Sequence, residues 1–291
     1  MKLFHSHHDA PVPEGPLLTA DHLAIAFDHP VLRDVSIQVD HGETLAVLGK
    51  SGTGKSVLLK LVVGLLTPDD GSILYKGKDI TRLNEQGLME LRSEIGFLFQ
   101  GAALFDSMTV GQNIDIVLAK HTDLPDSERE QKIIEALEMV DLADAIDKMP
   151  SELSGGMKKR AGLARSIVLE PELMLYDEPT TGLDPLTASS IAELILGLQT
   201  RLGIASIVVT HDLPTAFTVA DRAVVLNEGF VAFSGKVEDL EHSKDEFLRE
   251  YLSASQLNRN RREGILHASP RRQRKLSLTS EAASTQLGAA T

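Results

Sequence analysis

Apolar and polar positions along the chain follow two rhythms. Short apolar runs at Val35–Val39, Thr44–Leu48, Ser72–Tyr75, Ile95–Phe99, Leu173–Tyr176, Ala205–Val209 and Arg222–Leu226 predict strands of a buried sheet. Between them, apolar residues recur at helical spacing over Lys55–Leu65, Glu128–Val140, Gly155–Val168 and Leu186–Leu202. Such alternation predicts an α/β domain over residues 17–252. From Gln100 to Ser166 the strand signal fades, which predicts a mostly helical subdomain (residues 100–166) inserted into the α/β core. Residues 1–16 are polar, Pro-containing and aperiodic, a flexible leader. Beyond residue 252, Asn, Arg, Ser, Thr and Ala replace large apolar residues, so 253–291 read as a disordered or partner-ordered tail.

Charge sharpens that division. The 291 residues carry 29 basic and 42 acidic side chains, a formal net charge of −13. From Tyr251 to Thr291 there are 7 basic and 2 acidic residues (+5), so the first 250 residues hold 22 basic and 40 acidic (−18). An acidic body argues against a nucleic-acid binder working through its whole surface. Three readings of the basic tail stay open: a solvated segment, contact with anionic headgroups, or folding back on an acidic body. The chain has no Cys, which excludes thiolate metal sites and Cys nucleophiles. Its longest apolar run, Leu61–Leu66, is far short of the ~20 residues of a spanning helix. No signal peptide is expected from the polar start.

Chemistry enters at Gly49-Lys50-Ser51-Gly52-Thr53-Gly54-Lys55-Ser56, a G-x-x-x-x-G-K-[ST] pattern between a predicted strand and a predicted helix. The glycines let successive N–H groups turn inward on phosphate oxygens, and the helix N-terminus adds partial positive charge. Lys55 is expected on the β- and γ-phosphates and the Ser56 hydroxyl on Mg²⁺. Downstream, the strand Leu173–Tyr176 runs into Asp177 and Glu178. Asp177 is placed to hold the Mg²⁺ shell and Glu178 to polarise an attacking water.

A second anion-binding arrangement, Leu153-Ser154-Gly155-Gly156-Met157, also opens a helix. Two such ends far apart in one fold cannot hold the same γ-phosphate. A head-to-tail pair of chains, each nucleotide lying between one P-loop and the other Ser154, resolves the geometry. The Lys158, Lys159 and Arg160 that follow are expected to form a solvated helix face.

In this order the motifs resemble the ATPase subunit of ATP-binding-cassette (ABC) transporters, over roughly Leu17 to Leu252. The resemblance implies an α/β P-loop core with a mixed sheet flanked by helices, an antiparallel β subdomain and an inserted helical subdomain. It assigns Gly49–Ser56 to the Walker A loop, Leu153–Met157 to the signature motif, Asp177 and Glu178 to Walker B, and Gly182-Leu183-Asp184 to the D-loop. Gln100 becomes the glutamine that senses Mg²⁺ and the membrane partner, and His211 the switch histidine at the γ-phosphate. Phe27 stands where an aromatic ring, more often Tyr, stacks on adenine. Val57 follows Ser56 where many P-loops carry a second hydroxyl.

Within that family, Lys55–Lys60, Phe99–Val110 and Met149–Arg160 are similar to the ATPases of Mla/Mce-type systems. This implies ATP and Mg²⁺ as cofactors, and a second copy of the chain and an integral-membrane permease as partners. A lipid-binding Mce-domain subunit is a further candidate partner, and no nucleic acid is expected. The place would be the cytoplasmic face of a bacterial inner membrane and the cargo a phospholipid or related lipid. The alternatives are a soluble ABC ATPase for complex assembly, or another cargo: amino acid, metal or drug.

Overall fold

The computed structural model describes residues 15–254; of the leader expected over 1–16 and the tail expected over 253–291, residues 1–14 and 255–291 lie outside the described residues. The strands are β1 (Leu18–Ala26), β2 (Pro30–Val39), β3 (Thr44–Leu48), β4 (Asp70–Tyr75), β5 (Lys78–Asp79), β6 (Ile95–Leu98), β7 (Leu173–Asp177), β8 (Ala205–Val209), β9 (Arg222–Asn227) and β10 (Phe230–Lys236). The helices are α1 (Lys55–Val62), α2 (Glu85–Glu94), α3 (Val110–His121), α4 (Asp126–Met139), α5 (Gly155–Ile167), α6 (Pro185–Leu202), α7 (Leu213–Val219), α8 (Val237–Leu240) and α9 (Glu246–Ala254).

All ten strands form one sheet in the order β5-β4-β1-β2-β10-β9-β3-β8-β7-β6. Its two halves differ in direction. β3, β6, β7, β8 and β9 run parallel, with β10 antiparallel to β9. β1, β2, β4 and β5 pair antiparallel. A parallel bridge between Phe230 and Asp34 joins the halves.

This bent arrangement encloses α1. Leu58, Leu59, Leu61 and Val62 pack between Val35, Ile37 and Val39 of the antiparallel half and Leu45, Val47, Leu175, Ile207 and Val209 of the parallel half. The other face of β7 and β8 carries Met174, Tyr176 and Val208 into a second core with α3 to α6. No strand falls between β6 and β7, so α3, α4 and α5 form the helical insertion. A third, smaller core packs α7, α8 and α9 on Ala46, Leu48, Ala223 and Val225.

Every residue of β3 and β8 is buried, which is why both are legible as continuous apolar runs. Three strands lie outside the sequence expectations: β1, the two-residue polar β5 and β10. In β1 the alternation is broken by register shifts between Ala20 and Leu23, where His22 takes φ 50°. In β10 no residue is fully buried, so no apolar run marks it. β2 also begins five residues earlier than expected, through the polar stretch Arg33-Asp34.

Candidate nucleotide site

The C-terminal ends of four adjacent parallel strands, β3, β8, β7 and β6, carry the candidate residues in that spatial order. An open α/β sheet binds ligands at this edge. β3 delivers the chain into Gly49–Ser56, β8 into Thr210 and His211, β7 into Asp177 and Glu178, and β6 into Gln100.

The loop after β3 is shaped by steric need. At Gly49 (φ 150°) a Cβ would sit 2.6 Å from the Leu226 carbonyl oxygen and 2.7 Å from Thr53 Oγ1. Gly54 caps α1 in the left-handed conformation (φ 92°), where a Cβ would lie 2.5 Å from Leu32 Cδ2. No side chain caps α1 and no acidic residue occupies its first turn, so the positive end of the helix is left for an external anion. Lys55 is buried and donates to the carbonyls of Gly49 (2.9 Å) and Lys50 (3.0 Å). Burial lowers its pKa, while the carboxylates of Glu178 and Asp177 act to raise it.

Ser56 donates its hydroxyl hydrogen to Asp177 Oδ1 at 2.9 Å. Burial raises the Asp177 pKa against the opposing Ser56 hydrogen bond. A paired hydroxyl and carboxylate are hard oxygen donors, and they suit Mg²⁺, which completes its shell with phosphate and water rather than an all-protein cage. Among the described residues no group of three or more His, Cys, Asp or Glu forms such a cage.

Glu178 occupies a left-handed backbone position (φ 49°), which costs a non-glycine residue about 1–3 kcal/mol. Its amide still donates to the Val209 carbonyl at 2.9 Å. The side chain is only 13% exposed and is held from two sides, by His211 Nδ1 and the Thr181 hydroxyl, each 2.9 Å from Oε2.

Lys55, Ser56, Asp177, Glu178 and His211 thus form one cluster. Five expected site residues, Phe27, Ser154, Gly155, Gly156 and Asp184, stand apart from it. Phe27 is 58% exposed just past the end of β1. Ser154 is exposed and caps α5, its Oγ accepting from the Met157 amide at 3.3 Å. Its neighbours Gly155 and Gly156 approach Leu183 and Thr187, not the phosphate loop: a Cβ on them would lie 3.3 Å from Leu183 Cδ2 and 2.7 Å from Thr187 Cγ2. Asp184 caps α6, accepting from the amides of Leu186 and Thr187 at 3.1 Å, and the Thr187 hydroxyl bond depresses its pKa. Lys50, Ser51, Gly52 and Thr53 lie on the loop itself, Val57 in the first turn of α1, and the Gln100 side chain is exposed just past β6.

The solvated-face expectation for Lys158–Arg160 is corrected at two positions. Lys159 is 5% exposed, because α5 buries the face of Gly156, Lys159 and Gly162–Leu163. Arg160 bonds the Val140 carbonyl (2.6 Å), Asp141 (3.1 Å) and the Ser190 hydroxyl (2.9 Å). The sequence signal was the i, i+3, i+6 spacing of Gly156, Lys159 and Gly162.

Tyr251 was missed altogether. Its hydroxyl accepts from the Gly49 amide at 3.2 Å, and Lys50 Nζ lies 5.8 Å from the Phe247 ring centre. α9 therefore braces the outer side of the phosphate loop. The signal was the apolar stripe Phe247, Leu248, Tyr251, Leu252.

Residues 32–181 match the family model described as ABC transporter. The chain belongs to the ABC transporter ATPase family. As a member it binds ATP with Mg²⁺ and has the hydrolytic core of an ABC ATPase.

Relatives extend the match. The chain is 42% identical over 218 residues to the "Intermembrane phospholipid transport system ATP-binding protein MlaF" of Haemophilus influenzae, covering 75% of this chain and 83% of that one. It is 39% identical over 222 residues to the Escherichia coli K12 protein of the same name, covering 76% and 82%. It is also 38% identical over 250 residues to the "Probable ribonucleotide transport ATP-binding protein mkl" of Mycobacterium leprae, covering 86% and 72%. Among solved structures, cbiO1 from Clostridium perfringens, described as part of the transporter complex cbiONQ, superposes with a TM-score of 0.74 at 32% identity, covering 87% of this chain and all of that one. The dimeric cassette MJ0796, in a post-hydrolysis state with ADP and Pi, gives 0.69 at 28% identity, covering 76% and 98%.

Proposed function

We propose that two copies of this ATPase clamp two Mg·ATP head to tail and drive a membrane permease that moves phospholipid or a related lipid, from the cytoplasmic face of a bacterial inner membrane. One observation supports the two-chain site: Gly155 and Gly156 pack on Leu183 and Thr187, while Ser154 is exposed and bonds the Met157 amide of its own helix, apart from the cluster around Lys55. The likeness to MlaF supports the lipid cargo, and the stretch Phe99–Val110, next to the surface where a permease docks in such systems, supports it further.

In this reading the amides of Gly49–Lys55 cradle the phosphates and Lys55 moves from its carbonyl partners onto the β- and γ-oxygens. Ser56, Asp177 and Gln100 would hold Mg²⁺, which would supply Lewis-acid stabilisation of phosphate charge. Glu178 orients water in line with the γ-phosphate. His211, already 2.9 Å from Glu178, and Ser154 of the second chain stabilise charge on the transferring phosphoryl group. Phe27 stacks on the adenine and Asp184 lines the interface. An Mce-domain subunit fits as the lipid-binding partner of the permease.

Co-expression with the neighbouring genes tests the cargo. The expected result is co-purification with an integral-membrane subunit and a phospholipid in the extracted complex. A ribonucleotide other than ATP or ADP, bound to the membrane subunit in place of lipid, would favour the cargo named in the mkl relatives. A protein that purifies without any membrane subunit would overturn the transporter reading.

A further inference from the structure

Lys159 is a buried cation whose two hydrogen-bond partners are both backbone carbonyls of the site. Its Nζ donates to the carbonyl of Gln100 and, at 3.2 Å, to the carbonyl of Glu178. β6 and β7 are paired with Leu98 opposite Tyr176, so these carbonyls belong to matching positions two residues further along adjacent strands. One ammonium closes both strand ends.

The helix that brings it there is held tightly against the same turn. A Cβ on Gly162 would lie 2.9 Å from Leu98 Cδ1 and 3.1 Å from Ala102 Cβ. Arg165, two turns beyond Lys159, donates to the carbonyls of Ala103 (2.7 Å) and Ala102 (3.0 Å). Ala102 and Ala103 are themselves left-handed, at φ 60° and 50°. α5 thus presents a row of donors to the carbonyls of Gln100, Ala102 and Ala103 in a strained turn.

The consequence falls on Glu178. Its amide remains in the ladder to Val209, but the left-handed φ swings its carbonyl out of β7. There it accepts from the Thr181 amide at 3.3 Å, and Lys159 adds a second, charged donor at 3.2 Å. With the amide and the carbonyl both tied, the Glu178 side chain leaves the backbone in one direction, toward His211. An ammonium suits this place because it offers three rotatable donors on a flexible stem to two carbonyls of different strands.

We propose that Lys159 is a positioning residue for Glu178, fixing the strained turn that aims its carboxylate and tying that turn to the helix headed by Ser154. The proposal rests on the assignment of Glu178 as the residue that orients water. Lys159→Met keeps the stem and removes the donors. The expected loss is about tenfold to a hundredfold in kcat, as a small misplacement of a reacting group costs, with KM for ATP within about threefold of wild type. Lys159→Gln, which retains two N–H donors, restores kcat to within about threefold of wild type. In a Glu178→Gln background Lys159→Met lowers residual turnover by less than about twofold, because both changes strike one function. Lys159→Ser, whose cavity admits water, carries the same comparison if the Met variant does not fold.

Wild-type kcat in Lys159→Met or Lys159→Ser, or a full additional loss on top of Glu178→Gln, overturns the proposal. So does an equal loss in Lys159→Gln and Lys159→Met. If Glu178→Gln itself turns over normally, the assignment of Glu178 has failed instead, and the two failures are distinguishable.

Discussion

The N-termini of α1 and α5 have the same local chemistry and opposite surroundings. α1 follows a glycine-rich turn and α5 opens with Gly155-Gly156, and neither has an acidic residue in its first turn. α1 begins among the buried ends of parallel strands, with Lys55, Ser56, Asp177, Glu178 and His211 in mutual contact or electrostatic reach. α5 begins at an exposed Ser154 with no such group bonded to it. The first end holds reactive groups and lacks only a ligand. The second offers amides and a hydroxyl but no base and no metal donor. A helix N-terminus binds phosphate wherever it lies, whereas chemistry requires the strand ends around it.

The comparison breaks most completely at α1. Lys55→Ala is expected to abolish measurable ATPase activity, and Glu178→Gln to lower kcat by about 10²–10⁴-fold while ATP still binds. Glu178→Gln with ATP should also elute as a dimer in size-exclusion chromatography. Near-normal turnover in either variant would remove the reason for calling α1 the chemical end.

A smaller effect is expected at the brace on the phosphate loop. Tyr251→Phe deletes the acceptor for the Gly49 amide, a hydrogen bond of about 0.5–1.5 kcal/mol. KM for ATP should rise about twofold to tenfold with kcat nearly unchanged. An unchanged KM would leave α9 as packing alone.

The smallest effect concerns stability without nucleotide. Burial raises the Asp177 pKa above 3.8, so the folded state holds this proton more tightly than the unfolded chain. Its contribution to stability is therefore greatest below pH 3.8 and is lost as pH rises through the raised value. Asp177→Asn removes that penalty and keeps an acceptor for Ser56. Its melting midpoint at neutral pH should exceed that of wild type, by about 2–4 °C for each kcal/mol relieved, and the gap should close on acidification. A lower midpoint at neutral pH would show that the carboxylate stabilises the empty site.

Much of this was legible in the sequence because the relevant residues are contiguous or doubly buried. Gly49–Ser56 and Asp177–Glu178 sit at the ends of β3 and β7, whose two covered faces produce unbroken apolar runs. β1 and β10 were not legible, since one is interrupted by a bulge at His22 and the other is never fully buried. The charge of Lys159 suggested solvent, and only the packing of α5 on the turn after β6 brings it to the carbonyls of Gln100 and Glu178. Tyr251 lies 202 residues from the amide it serves, a separation that no local pattern encodes.

The central claim is that each site is completed by the second chain, and mixing two inactive variants tests it most directly. Lys55→Ala disables a chain's own phosphate loop, and Ser154→Arg blocks the helix end it offers to the other. Each variant alone should be inactive. In a mixed dimer the Ser154→Arg chain contributes an intact phosphate loop and the Lys55→Ala chain an intact Ser154, so one complete site forms. ATPase activity should reappear on mixing, well above the sum of the separate variants. If each chain's Ser154 served its own phosphate loop, no combination would recover turnover, and the two-chain site would be contradicted.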